Sequence, residues 1–185
     1  MRETEPWKFL DAYRGRVFSD RWPTIPQLFD ITTDRFPDRA CFTIYSPQRM
    51  STNYRETHEI ILKVASYLTS IGLGPGSHIA VTGKNSPEWG IAYIAVLYTG
   101  AVVVPIDYQL STQDIITLMH AGDVTAAFVD EEKYEHIKKD FAGIPCFGLA
   151  RGVESFIYDL EPPAGFVFTP PQVPVQSTAA ILFTS

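Results

Sequence analysis

Residues 78–106, HIAVTGKNSPEWGIAYIAVLYTGAVVVPI, decide the fold of this chain. Ile79 and Val81 lie in a short apolar run that stops at Gly83, which reads as a buried strand. Ser86 followed by Pro87 is a helix start, because a serine hydroxyl caps free N–H groups and proline suits the first helical position. That helix is expected to end at Gly100. Ala101–Ile106, with the β-branched Val102, Val103 and Val104, then reads as a second strand. Trp89 to Ile106 is 18 residues without a formal charge, long enough for a membrane span. Gly100 and Pro105 interrupt it, so the reading is a buried helix followed by a buried strand.

Towards the C-terminus the alternation continues. Ser111 with Asp114 opens a helix that stops at Gly122, and Thr125–Val129 is a further strand. Strands apolar on both faces, separated by capped helices, predict an α/β fold: a mostly parallel sheet flanked by helices. A polar helix over Glu131–Lys139 leads to a weak strand near Pro145–Leu149. Five prolines between Pro162 and Pro174 mark an extended loop, and Ala179–Thr184 reads as a last strand rejoining the sheet.

Towards the N-terminus, Asn53 with Glu56 forms an asparagine-led capping box. Ile61, Val64, Ala65, Leu68 and Ile71 then recur on one helical face, and Gly72 supplies a left-handed stop before the turn Gly74-Pro75-Gly76. Thr24 and Pro26 start an earlier helix that runs to about Phe36, followed by a strand at Cys41–Tyr45 and a turn over 46–49. Residues 1–23 mix aromatic and charged side chains and read as an N-terminal arm lying on the body. The expected division is therefore an arm, 1–23, and an α/β unit, 24–185.

At 45% hydrophobic and 19% charged, the 185 residues can bury a real core. The net charge of −6 comes with no basic stripe, which argues against a nucleic-acid surface. Cys41 and Cys146 stand far apart with no metal-ligand spacing and read as reduced, partly buried thiols of a cytosolic protein. The N-terminal residues do not read as a secretory signal, since Glu3 and Glu5 fall where an apolar core would be. His58, His78, His120 and His136 lie on different elements, so no metal site is expected. Ser86, Pro87 and Glu88 are explained as a helix N-terminus, and Val102–Pro105 as packing. Asp107 and Asp130 end parallel strands, where open α/β sheets place ligands, although acids there more often act as caps. Thr184 and Ser185 differ, because a hydroxyl pair closing a buried strand has little structural reason of its own. Loops that cradle phosphate begin this way and need glycines next.

Several of these pieces resemble the adenylate-forming superfamily of acyl-CoA synthetases, aryl-CoA ligases, luciferases and peptide-synthetase adenylation domains. Ser51-Thr52-Asn53-Tyr54-Arg55-Glu56 is similar to the family's opening motif. Lys84-Asn85-Ser86-Pro87-Glu88-Trp89 is typical of its acyl-CoA synthetases, and Gly100-Ala101-Val102-Val103-Val104-Pro105-Ile106-Asp107 is close to its second core motif. Phe183-Thr184-Ser185 matches the first residues of its phosphate loop. The sequence departs from the family's usual wording at Ser77-His78 and at Ser177-Thr178, both turn or cap positions.

The resemblance covers roughly residues 24–185. It implies the N-terminal part of the large domain of a fatty acyl-CoA synthetase, ending as the phosphate loop begins. The full enzyme would use ATP, Mg²⁺ and coenzyme A on a fatty or other carboxylic acid. Thr184 and Ser185 would be its nucleotide contacts within these residues, with no catalytic residue among them. The 185 residues alone are then expected to be inactive, to hold no cofactor tightly and to self-associate. The expected location is cytoplasmic, with peripheral membrane association left open. The alternative is a free-standing α/β module that binds a nucleotide or partner without catalysis. Its best phosphate-loop candidate, Gly72-Leu73-Gly74-Pro75-Gly76, follows a helix and precedes a strand, the reverse of the context such a loop requires.

Overall fold

The computed structural model describes residues 6–46 and 48–183. A 3₁₀ turn over Lys8–Ala12 and the bend after it bury Leu10, Tyr13 and Phe18 against Ile31. Ile31 belongs to helix α1, Ile25–Arg35. The Tyr13 hydroxyl donates to Asp34 Oδ2 at 2.8 Å, and the Arg35 guanidinium lies 3.8 Å from the Phe9 ring centroid. Thr24 and Gln27 close a reciprocal capping box at the start of α1.

Strand β1 (Ala40–Ile44) pairs antiparallel with β2 (Met50–Asn53) in a separate two-stranded sheet. Helix α2, Tyr54–Ser70, begins at the expected box: the Glu56 N–H donates to Asn53 Oδ1 at 2.8 Å and the Asn53 N–H to Glu56 Oε2 at 2.9 Å. Ile61, Val64, Ala65 and Leu68 are buried as their spacing requires. Ile71 is not: it sits at the C-cap, where the helical period no longer applies, and is exposed.

The main sheet contains β3 (His78–Thr82), β4 (Val102–Pro105), β5 (Ala126–Val129) and β6 (Cys146–Gly148) in the order β4-β3-β5-β6, all parallel. Between them run α3 (Pro87–Tyr98), α4 (Thr112–Ala121) and α5 (Tyr134–Asp140). Gly100, at φ +77°, separates α3 from β4, and among the described residues no helix is long and apolar enough to cross a membrane. One core packs α2 and α3 on one face of the sheet; a second packs α4 and α5 on the other.

Two expectations need correcting. The polar helix begins at Tyr134 rather than Glu131, because residues 130–133 form a turn in which Glu131 and Glu132 reach for Lys84. Of the last strand, the described residues 179–183 make a single parallel bridge, Ala180 with Val103. It is held by the Val103 N–H on the Ala179 carbonyl and the Ile181 N–H on the Val103 carbonyl, both 3.0 Å. Among the described residues nothing pairs with its outer edge, and Leu182 faces solvent.

Candidate functional site

The chain leaves β3, forms α3 on one face and returns as β4; it then crosses beneath the sheet through α4 to emerge as β5 on the other side of β3. The connections leaving the adjacent strands β3 and β5 therefore diverge to opposite faces. Such a reversal opens a crevice at the C-terminal ends of the strands, the usual ligand position of an open α/β sheet. A cleft of about 830 Å³ lies here.

Its floor is the end of β3 and β5. Gly83 allows a close approach: a β-carbon there would come within 2.8 Å of Leu149 Cδ1, which would have to shift, and 3.3 Å of Asp130 Cβ. Asp130 is 4% exposed, and its Oδ2 accepts the Lys84 N–H at 3.2 Å. Burial pushes its carboxyl above the usual carboxylate range; the Lys84 N–H pulls it down, while the Glu131 charge adds to the rise. The Lys84 ammonium is clamped by Glu132 at 2.6 Å and Glu131 at 3.3 Å. The Glu132 and then the Glu131 hydrogen bonds raise its pKa, and Lys84 in turn lowers that of Glu132.

One wall is the N-terminus of α3, where Ser86 Oγ accepts the Trp89 N–H at 3.1 Å. The other wall follows β6 and carries Arg151, Phe156 and Tyr158. Burial, then the nearby Glu88 charge, raises the Tyr158 phenol.

The structure thus brings Asp130 and the Lys84–Glu88 segment together. Asp107 is not part of the cleft: its Oδ1 accepts the Gln109 N–H at 2.9 Å in a turn after β4. Thr184 and Ser185 lie outside the described residues. The segment leading to them, Ala179–Ile181, runs parallel to β4 on its outer edge. Of the histidines, His78 Nδ1 lies 2.7 Å from the Gly122 carbonyl, His58 Nε2 lies 2.9 Å from Asp30, and the His120 ring packs on Phe141. Among the described residues no three His, Cys, Asp or Glu side chains gather as for a metal ion.

Sequence reasoning missed Arg151, Phe156 and Tyr158. The aromatic pair flanking Ile157, just past a weak strand, was the signal available. Trp89, which the sequence places in a buried helix, is only partly buried; it stacks on Tyr93 and lines an open apolar groove of about 420 Å³ between α1, β1 and α3.

The model of one family, AMP-binding enzyme, matches residues 29–185. Long chain acyl-CoA synthetase 3 of Arabidopsis thaliana is 31% identical over 86 residues, 46% of this chain and 13% of that protein. Surfactin synthase subunit 1 of Bacillus subtilis is 34% identical over 116 residues, 61% of this chain and 3% of that protein. A long-chain-fatty-acid-CoA ligase structure from Archaeoglobus fulgidus superposes with a TM-score of 0.70 at 21% identity, over 90% of this chain and 36% of that one. The chain thus spans a small part of the relatives it matches.

Proposed function

Because this chain belongs to the AMP-binding enzyme family, we propose that it is the N-terminal part of an ATP-dependent acyl-CoA synthetase that acts on fatty acids. In the full enzyme a substrate carboxylate oxygen attacks the α-phosphorus of ATP, forming the acyl-adenylate and expelling pyrophosphate. The thiol of coenzyme A then attacks the acyl carbon, forming the thioester and releasing AMP. The demand on the protein is to stabilise charge on the phosphates with oriented hydroxyl and N–H donors.

The observation that carries this reading is the parallel bridge of Ala180 with Val103. It sets the chain running parallel to β4 immediately before Phe183-Thr184-Ser185, the residues that match the opening of the family's phosphate loop. Thr184 and Ser185 are proposed to donate to the ATP phosphates. Mg²⁺, where bound, would neutralise charge on those phosphates. The acyl-CoA synthetase wording of residues 84–107 and the likeness to long chain acyl-CoA synthetase 3 support a fatty acid, while the likeness to surfactin synthase subunit 1 is the reason amino acids belong in the test. The free, partly buried thiols of Cys41 and Cys146 support a cytoplasmic location.

Acid-dependent ATP–pyrophosphate exchange on the full-length protein, with fatty acids of increasing length beside aromatic and amino acids, tests the reading. Exchange driven by fatty acids supports it. Exchange with amino acids alone, or with no acid, overturns it. Tight ATP binding by the 185-residue chain would instead favour the non-catalytic module.

A further inference from the structure

We propose that the cleft between the ends of β3 and β5 is a second ligand site, built for a small organic cation: a primary ammonium on an apolar, ring-sized body. The charge pattern points to the cation. Glu88, Asp130 and Glu131 line the cleft against Lys84 and Arg151. Lys84 is already neutralised between Glu131 and Glu132. The Arg151 guanidinium rests on the Phe156 ring, 5.6 Å from its centroid. Of the three carboxylates, Asp130 alone is buried. More than nine-tenths buried, it receives one hydrogen bond among the described residues, from the Lys84 N–H to Oδ2. Its nearest cation, Lys84, is held by Glu131 and Glu132; a buried carboxylate that shares its counter-ion in this way is costly, and an ammonium delivered into the cleft would relieve it.

The walls point to the rest of the molecule. Phe42, Phe156 and Tyr158 supply aromatic surface, which attracts cations through the ring faces, while Ile44, Ile60 and Leu149 are apolar. A bare inorganic ion would leave that surface unfilled, and about 830 Å³ is the size of a small-molecule pocket. A phosphate at the buried end of the cleft would meet Asp130, with Lys84 already held by Glu131 and Glu132, so that end is unsuited to a nucleotide's anionic end. Ala180 stands across β3 and β4 from the crevice, about 12 Å away at about 4.8 Å per strand. The cleft therefore does not include the Ala179–Ile181 segment, and the proposal does not depend on the synthetase chemistry.

The test uses the 185-residue chain and three probes of matched shape: 2-phenylethylammonium, neutral 2-phenylethanol and anionic 3-phenylpropionate, titrated by calorimetry and by amide NMR. The ammonium is expected to bind at least about tenfold more tightly than the alcohol, as a charge-assisted hydrogen bond to a buried partner implies, and the acid not at all. Shifts should centre on Lys84, Asp130 and Tyr158. Asp130→Asn, with its fold checked by thermal melting, should remove the preference for the ammonium. If that variant fails to fold, the three-probe comparison and shift map on the unaltered chain decide alone. Equal affinities for the three probes, no binding of the ammonium, shifts centred on Trp89 in the other groove, or an unchanged preference in folded Asp130→Asn would each overturn the proposal.

Discussion

Replacing Val103 tests the packing on which both sites stand. Val103 is fully buried in β4, in register with Ile79 of β3 on one side and Ala180 on the other, and its side chain joins the core beneath α2 and α3. Val103→Ala removes two carbons, about 1.6 kcal/mol of burial at about 0.8 kcal/mol each. The cavity left behind raises this to about 2–3 kcal/mol. Val103→Asp loses the same burial and adds a carboxyl with no partner, a further several kcal/mol. Against a total stability of about 5–15 kcal/mol, that consumes most of the margin. Val167, 84% exposed, is the control, and Val167→Asp should change stability by no more than about 0.5 kcal/mol. Urea denaturation with the soluble fraction as a second measure gives the ranking. A Val103→Asp midpoint equal to that of Val167→Asp would refute the reasoning, as would an unchanged Val103→Ala.

Gly100→Ala should destabilise more than Gly165→Ala in the same assay. Both glycines have positive φ, but a β-carbon at Gly100 also meets Pro171 Cγ at 2.8 Å, whereas at Gly165 it meets nothing within 4 Å; equal losses would count against this contact. Burial pushes the Cys146 thiol up to about 12 and raises Cys41 as well. Iodoacetamide at pH 8 should therefore label both slowly in the native chain and rapidly in urea, with Cys146 the slower; native labelling at the unfolded rate would contradict the burial. Asp130, raised by burial, binds its proton more tightly folded than unfolded, so stability falls as pH climbs from the unfolded value through the folded one. Asp130→Asn should match the parent at low pH and melt at or above it at pH 7; a lower melting temperature at pH 7 would mean that the carboxylate is stabilising.

The β-α alternation over 78–129 was legible because its signals are local. Ser86, Ser111 and Asn53 each cap through their own side chains, and Gly100 turns with its own φ. Strand β2 was not, since Met50–Asn53 has no alternating pattern and takes its conformation from β1 opposite. The candidate cleft was half legible. Asp130 announces itself as an acid ending a strand, yet its burial depends on Gly83 letting Leu149 and Asp130 close in from other strands. The wall of Arg151, Phe156 and Tyr158 reaches the cleft only because β6 lies beside β5, a pairing no local pattern encodes.

Residues 149–178 must carry the chain from β6, at one rim of the sheet, to Ala180 beyond β4 at the other, about 19 Å across four strand spacings of about 4.8 Å. They take the route over the α2 and α3 layer. The Lys63 ammonium donates to the Tyr158 carbonyl at 2.7 Å and to Glu161 at 2.8 Å, Phe168 packs on the core beneath, and Pro171 and Val173 close on Gly100. Prolines shorten the slack of such a path by limiting the conformations it can sample. The segment is therefore a girth strap, joining two rims that share no hydrogen bond. A pull on the chain beyond Ala180 loads the two hydrogen bonds at Val103 in shear and is then passed along the strap to β6, so the sheet resists being opened from either side as one mechanical body.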